Sequence, residues 1–130
     1  MLKKTVTCVD YNGVEYTDDY YFNLTKAEIM KMEMGVAGGL AEKLQKIIAT
    51  NDAVKIMEFF EELVLKAYGE KSDDGKRFIK SPEISAAFSQ TEAYSTIFME
   101  LALDAEKAAE FVNGIIPADL AKQLENNKLA

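Results

Sequence analysis

Apolar residues alternate with polar ones near the amino terminus and recur at helical spacing through most of the remaining chain. Residues 4–22 alternate as two β-strands do, and Asn12-Gly13 between them is a dipeptide that strongly favours a tight hairpin turn. An isolated hairpin is marginal in water, so its apolar face must pack on the rest of the chain or pair with another chain. We predict a β-hairpin over residues 1–24.

A helical body is predicted over residues 25–125, followed by a frayed tail over residues 126–130. Thr25 and Glu28 have the spacing of a capping box, so the first helix is expected to begin near residue 26. The first helix is expected to break at Gly35, Gly38 and Gly39, and helical spacing resumes from Leu40.

A core helix is predicted over residues 53–68, with Gly69 as its cap, and a polar turn over residues 71–76. The remaining predicted helices are 82–89, 92–103, one from Asp104 to Asn113-Gly114, and a last one from Pro117 to Leu124.

No linker and no internal repeat divides this order of elements. The predicted fold is mostly α with a small N-terminal β-hairpin, an α+β arrangement. It is expected to form a single compact helical domain over residues 1–130, because a chain of this length can bury a sufficient core without metal ions or disulfides.

Composition narrows the class of function. The chain has 15 Lys plus Arg against 22 Asp plus Glu, which gives a formal net charge of −7, and it contains no histidine. The commonest general base and metal ligand are therefore missing, and an acidic surface repels nucleic-acid phosphates. We expect no metal, no cofactor and no nucleic-acid partner, although an acidic protein that imitates DNA stays open as an alternative.

Cys8 is the only cysteine, which fits a reducing compartment. The amino terminus lacks the apolar run of a signal peptide, and no segment approaches the length of a membrane span. We therefore expect a cytosolic protein without a membrane partner.

Three carboxylates, Glu58, Glu61 and Glu62, could in principle serve acid–base chemistry or bind a cation. Without a histidine partner, a solvated helix face is the favoured interpretation. The glycines of residues 35–39 lack the spacing of a phosphate-binding loop, and Asp73-Asp74-Gly75 lacks the remaining ligands of a calcium loop. No catalytic residue is predicted.

Methionines occupy more than one face of the first predicted helix. Flexible thioether side chains suit surfaces that adapt to apolar partners. One face should enter the core, which leaves either Met30 and Met34 or Ile29 and Met32 available to another protein. Ordinary filling of the core is the favoured alternative.

A longer motif begins with the run from Tyr68 to Ser81. It continues through Phe88, Thr91-Glu92-Ala93-Tyr94, Met99-Glu100-Leu101, Asp104 and Phe111-Val112-Asn113-Gly114-Ile115-Ile116-Pro117. This pattern resembles a tail assembly chaperone family from long-tailed phages and prophages of Gram-positive bacteria. The amino-terminal strands and the helices that follow them also suit that family in order and length.

The resemblance implies an assembly factor without enzymatic activity in the host bacterial cytoplasm. Such chaperones are thought to bind the long tape measure protein, keep it soluble and help to recruit tail tube protein around it. The unpaired hairpin edge also leaves a homo-oligomer open. The alternatives are a structural tail or connector subunit, an acidic DNA-mimic inhibitor, and an enzyme that depends on the three glutamates.

The nominated partner-binding residues come from the motif and from the methionine helix: Met30, Met34, Tyr68, Gly69, Asp74, Gly75, Arg77, Phe78, Phe88 and Tyr94. Arg77 is the only arginine and is expected to bind an acidic partner or to lie in a solvated loop. An architectural role for the motif residues is favoured over direct binding. In that interpretation Gly69 caps a helix, Asp74-Gly75 forms a turn, and the aromatic residues pack in the core.

Overall fold

Strands and helices follow one another in runs of two or three in the computed structural model, which describes residues 1–34, 46–47 and 49–117. Within these ranges the strands are β1 (Leu2–Val9), β2 (Glu15–Phe22), β3 (Tyr68–Lys71) and β4 (Phe78–Ile79). The helices are α1 (Lys26–Met34), α2 (Ala53–Ala67), α3 (Pro82–Ser89), α4 (Glu92–Leu103) and α5 (Ala105–Ile115), and residues 46–47 and 49–50 are also helical. The predicted glycine break, the spacing from Leu40, the last helix beyond Pro117 and the tail lie outside the described residues.

The amino-terminal hairpin is confirmed. β1 and β2 pair in antiparallel register from Leu2 opposite Phe22 to Val9 opposite Glu15. At the turn, the amide of Gly13 donates to the carbonyl oxygen of Asp10 at 3.0 Å, and Gly13 has a φ of +82°. That positive φ is why a glycine follows Asn12, since a Cβ would strain this backbone conformation.

The prediction of a mostly α fold is wrong, because the described residues contain a four-stranded antiparallel sheet in the order β1-β2-β3-β4. β3 pairs with β2, with Gly69 opposite Tyr21 and Tyr68 opposite Phe22, and β4 pairs with β3. The mixture of helices and strands was predicted correctly, but the second hairpin was not. Strands of four and two residues are too short to show an alternating pattern.

The prediction that Gly69 caps a helix is also wrong. α2 ends at Ala67, and Tyr68 already has extended backbone angles, φ −68° and ψ 139°. Gly69 is the second residue of β3 and is buried. A glycine that caps a helix and a glycine that enters a strand after a helix look the same in the sequence. The local pattern therefore could not show that β3 pairs with β2.

Most predicted helix starts are confirmed by side-chain caps. Thr25 and Glu28 form the expected capping box, with each residue's side chain accepting the other's backbone amide at 3.2 and 3.0 Å. The side chains that accept amide hydrogens at the starts of α2, α3, α4 and α5 are those of Asp52, Ser81, Thr91 and Asp104. Each such cap contributes about 1 kcal/mol to helix stability.

The helices cover one face of the sheet and form the core against it. The largest fully buried side chains come from β2, α2, α4 and α5, and they are Phe22, Val64, Ile97, Phe111 and Ile115. Each buried side chain of this size contributes about 1.5–3 kcal/mol through removal of apolar surface from water. The opposite face of the sheet carries exposed residues, including Lys3, Thr5 and Thr7 of β1.

Candidate partner-binding surface

Three of the nominated aromatic residues meet behind the sheet. The rings of Tyr68 and Phe88 stack with centroids 3.9 Å apart, and Tyr94 packs edge-on against Phe88 at 5.5 Å. Phe88 is 3% exposed, whereas Tyr68 and Tyr94 are half-buried. Burial raises the pKa of both tyrosines, so both hydroxyls stay protonated at neutral pH. The described contacts therefore fit the architectural role of these rings.

Other nominated residues lie on the solvent face of the sheet. A Cβ on Gly69 would stand 2.7 Å from Cε2 of Phe78, so the Phe78 ring packs directly on the glycine. Beside it, the ammonium of Lys71 lies 4.3 Å from the centroid of the Tyr21 ring. We call the residues Tyr21, Gly69, Lys71 and Phe78 the outer aromatic patch. It combines two half-buried rings with a cation on the side of the sheet away from the core.

Tyr21 and Lys71 were not nominated from the sequence. The signal for Tyr21 was present, since it lies between Tyr20 and Phe22, which are both buried, and alternate strand residues point to opposite faces. Lys71 could not be found in the same way, because its neighbour Tyr21 is reached only through the pairing of β3 with β2.

The side chain of Lys80, which follows β4 in the chain, forms hydrogen bonds at the start of α1. Its ammonium donates to the carbonyl oxygen of Asn23 at 2.7 Å and to Oε2 of Glu28 at 2.6 Å, and it lies 5.7 Å from the Phe78 ring. Burial alone would raise the pKa of the Glu28 carboxyl. The hydrogen bonds from Lys80 and from Thr25 lower that pKa by more than burial raises it, so the pKa lies below its usual range.

Glu28→Gln is expected to lower the free energy of unfolding at pH 7 by about 1 kcal/mol or less, since the pair is partly exposed. Glutamine keeps the acceptor for the Thr25 amide but loses the charge that faces Lys80. Because the folded-state pKa of Glu28 is lowered, its contribution is present above the unfolded-state pKa and is lost as the pH falls through the folded-state pKa.

Urea unfolding of the wild type and of Glu28→Gln from neutral to acidic pH tests this. The two stabilities should converge at low pH. Glu83→Gln in the first turn of α3 is the matched control, because Glu83 has no ion pair among the described residues. A constant difference between Glu28→Gln and the wild type across the pH range would contradict the expectation.

The turn between β3 and β4 is fixed by its own hydrogen bonds. The Ser72 hydroxyl donates to Oδ1 of Asp74 at 2.6 Å, the amide of Lys76 donates to the same oxygen, and the amide of Arg77 donates to the Ser72 hydroxyl. The bonds from Ser72 and Lys76 lower the pKa of Asp74. Gly75 has a φ of +72°, so Asp74-Gly75 forms a turn as the architectural interpretation predicted. Arg77 is exposed at the end of this turn.

On α1, Met30 is 64% exposed, while Ile29 and Met32 are partly buried against the core. The sequence left either Met30 and Met34 or Ile29 and Met32 available to a partner. Among the side chains that the structure describes, Met30 is the one that faces solvent. The side chain of Met34 lies outside the described part of the structure.

The three glutamates considered for acid–base chemistry, Glu58, Glu61 and Glu62, are all exposed on α2.

A shallow surface depression of about 440 Å³ between α2 and α3 is lined by Glu62, Leu65, Lys66, Lys80, Ser81, Pro82 and Ser85. Within the ranges that the structure describes, no group of three or more acidic or cysteine side chains is placed to hold a metal ion. No helix in those ranges is long and apolar enough to cross a bilayer.

The fold and the surface together define a small α+β protein whose sheet carries two half-buried rings and the Lys71 ammonium on its outer face. The chain belongs to the phage tail assembly chaperone family, since the sequence model with that description matches residues 1–129. This confirms the resemblance to tail assembly chaperones. Neither the curated proteins nor the solved structures contain a match to the chain.

Proposed function

We propose that this protein binds the tape measure protein of its phage, keeps that protein soluble and promotes tail tube assembly. It does so in the host bacterial cytoplasm and makes or breaks no covalent bond. Membership of the phage tail assembly chaperone family supports a role with protein partners in tail assembly. The choice of the tape measure protein follows what the resemblance to this family implies, and the chemistry of the surface supports it.

The outer aromatic patch is the observation that carries this proposal. A tape measure protein is a long helical chain with apolar stripes, and such stripes aggregate unless another surface covers them. The rings of Tyr21 and Phe78 provide apolar contact area, and aromatic residues and arginine often contribute most to protein interfaces. Lys71 and the exposed Arg77 supply cations for carboxylates that flank an apolar stripe.

The other nominated residues have supporting roles in this proposal. Gly69 lets Phe78 lie flat on the sheet, and Asp74-Gly75 holds the turn that ends at Arg77. Tyr68, Phe88 and Tyr94 support the sheet from behind. Met30 and Met34 provide a second, adaptable contact on α1.

The acidic balance of the whole chain suits the same function. A net charge of −7 on 130 residues keeps a complex soluble through mutual repulsion while apolar surfaces are covered. Residues 70–80 depart from this balance, since they hold the four cations Lys71, Lys76, Arg77 and Lys80 against the three acids Glu70, Asp73 and Asp74.

Arg77→Glu is expected to weaken binding of the tape measure protein about tenfold, which corresponds to about 1.4 kcal/mol. The side chain is exposed and only the backbone of Arg77 bonds to the turn, so the fold should persist. The measurement is recovery of the purified chain on a tagged tape measure protein from the same phage, over a range of chain concentrations.

Lys55→Glu is the matched control, because it makes the same change of charge at an exposed position on α2. It should bind as the wild type does. If Arg77→Glu and Lys55→Glu bind equally well, Arg77 does not contact the tape measure protein. If the wild-type chain does not bind at all, the tape measure protein is not the partner.

A further inference from the structure

β1 is an edge strand of eight residues whose outer side has no backbone partner among the described residues. It contains no proline, and its two lysines, Lys3 and Lys4, both lie in its first half, so the second half of the strand lacks the features that discourage pairing with another strand. We propose that β1 pairs antiparallel with β1 of a second copy of this chain, which joins the two sheets into one around a two-fold axis. This inference does not depend on the identity of the tail-assembly partner.

The register of the hairpin shows which backbone groups are free for this pairing. The amide of Asp10 donates to the carbonyl oxygen of Val14, so the even-numbered residues of β1 share ladder hydrogen bonds with β2. The odd-numbered residues of β1 face residues of β2 with which they share no ladder hydrogen bonds. In such pairs the side chains approach most closely. The 2.8 Å contact between the Thr7 and Thr17 hydroxyls and the 2.6 Å bond from Thr5 to Asp19 agree with this.

The amides and carbonyls of four residues therefore point away from β2. These residues are Lys3, Thr5, Thr7 and Val9. An antiparallel second copy uses all four when Lys3 faces Val9 of the second copy and Thr5 faces Thr7 of the second copy. Each facing pair exchanges two hydrogen bonds, so this register forms about eight.

Exposed apolar side chains lie at both ends of β1. Met1 is 60% exposed at the start, and Val9, Tyr11 and Val14 are 49%, 77% and 58% exposed around the hairpin turn. In this register Met1 of each copy lies beside Val9 and Tyr11 of the other copy, so these side chains cover each other. The dimer thereby removes apolar surface from water in addition to forming backbone hydrogen bonds.

Charge along β1 favours the antiparallel direction. Lys3 and Lys4 lie at the start of the strand, so antiparallel pairing keeps the lysines of the two copies at opposite ends of the interface. Parallel pairing would align the lysines of both copies.

Analytical ultracentrifugation of the full chain over a concentration series tests the dimer. The expected mass at high concentration is twice 14.5 kDa. Thr7→Pro removes one outward amide of β1 and should shift the midpoint of dimer formation at least about tenfold to higher concentration. A wild-type chain that stays at 14.5 kDa throughout would overturn the proposal.

Thr17→Pro is the matched control. Thr17 lies opposite Thr7, so both substitutions remove the same hydroxyl contact, but the amide of Thr17 points away from β1. β3 pairs with β2 only at Tyr21 and Phe22, so no ladder bond of the described sheet is lost. This variant should dimerise as the wild type does. Dimerisation that survives Thr7→Pro but not Thr17→Pro would contradict the assigned edge.

A disulfide experiment tests the register without proline. In a Cys8→Ala background, chains with Thr5→Cys are mixed with chains with Thr7→Cys and oxidised. The mixed disulfide should form faster than either disulfide between identical chains, because Thr5 faces Thr7 of the second copy. Equal rates for the three disulfides would overturn the register and with it the paired edge.

Discussion

Phe88→Asp is expected to leave the chain without a cooperative thermal transition. Phe88 is 3% exposed and lies within 6 Å, centroid to centroid, of the rings of Tyr20, Phe22, Tyr68 and Tyr94. Loss of a buried phenyl ring costs about 3–5 kcal/mol. A carboxylate in its place loses its hydration among these rings and adds several kcal/mol of desolvation, while domain stabilities are about 5–15 kcal/mol in total.

Circular dichroism during heating measures this result, with Phe88→Leu as the matched control. Leucine keeps the site apolar and should cost about 1–2 kcal/mol, so its cooperative transition persists at a lower temperature. A Phe88→Asp chain that melts like the wild type would show that this ring does not lie in the core.

Gly69→Ala is expected to lower the free energy of unfolding by about 1–3 kcal/mol. The added Cβ would lie 2.7 Å from Cε2 of Phe78 and 2.9 Å from the carbonyl oxygen of Ile79. The ring can rotate, but the carbonyl belongs to the paired strand β4 and cannot move without disturbing the sheet. The variant should therefore displace Phe78 from the outer aromatic patch as well as destabilise the fold.

Urea unfolding of a double-mutant cycle separates these effects. If the Phe78 ring contributes to the clash, Gly69→Ala costs less in a Phe78→Ala background than in the wild type. The remaining cost reports the contact with the Ile79 carbonyl oxygen. Strict additivity of the two substitutions would contradict the packing of the ring on Gly69.

Local signals in the sequence predict much of this fold. Asn12-Gly13 locates the first hairpin, and the side chains of Thr25, Ser81 and Thr91 locate helix starts, because a turn or a cap depends on residues within a few positions of each other. The place of β3 beside β2 depends instead on the pairing of Tyr68 with Phe22, which are distant in sequence. That is why Gly69 was mistaken for a helix cap.

Less of the candidate site than of the fold could be predicted, because the site also depends on residues that are distant in sequence. The motif drew attention to Phe78 and Arg77, and the turn chemistry of Asp74-Gly75 was correctly anticipated. The sequence could not place Lys71 beside Tyr21, because that neighbourhood exists only when β3 lies next to β2.

The central claim is that this protein keeps the tape measure protein soluble by covering its apolar stripes. The most direct measurement is the soluble fraction of the tape measure protein after expression alone, with the wild-type chain, and with Phe88→Asp as a control that cannot fold. We predict a large rise in soluble tape measure protein with the wild-type chain only. Equal soluble fractions with and without the wild-type chain would contradict the claim.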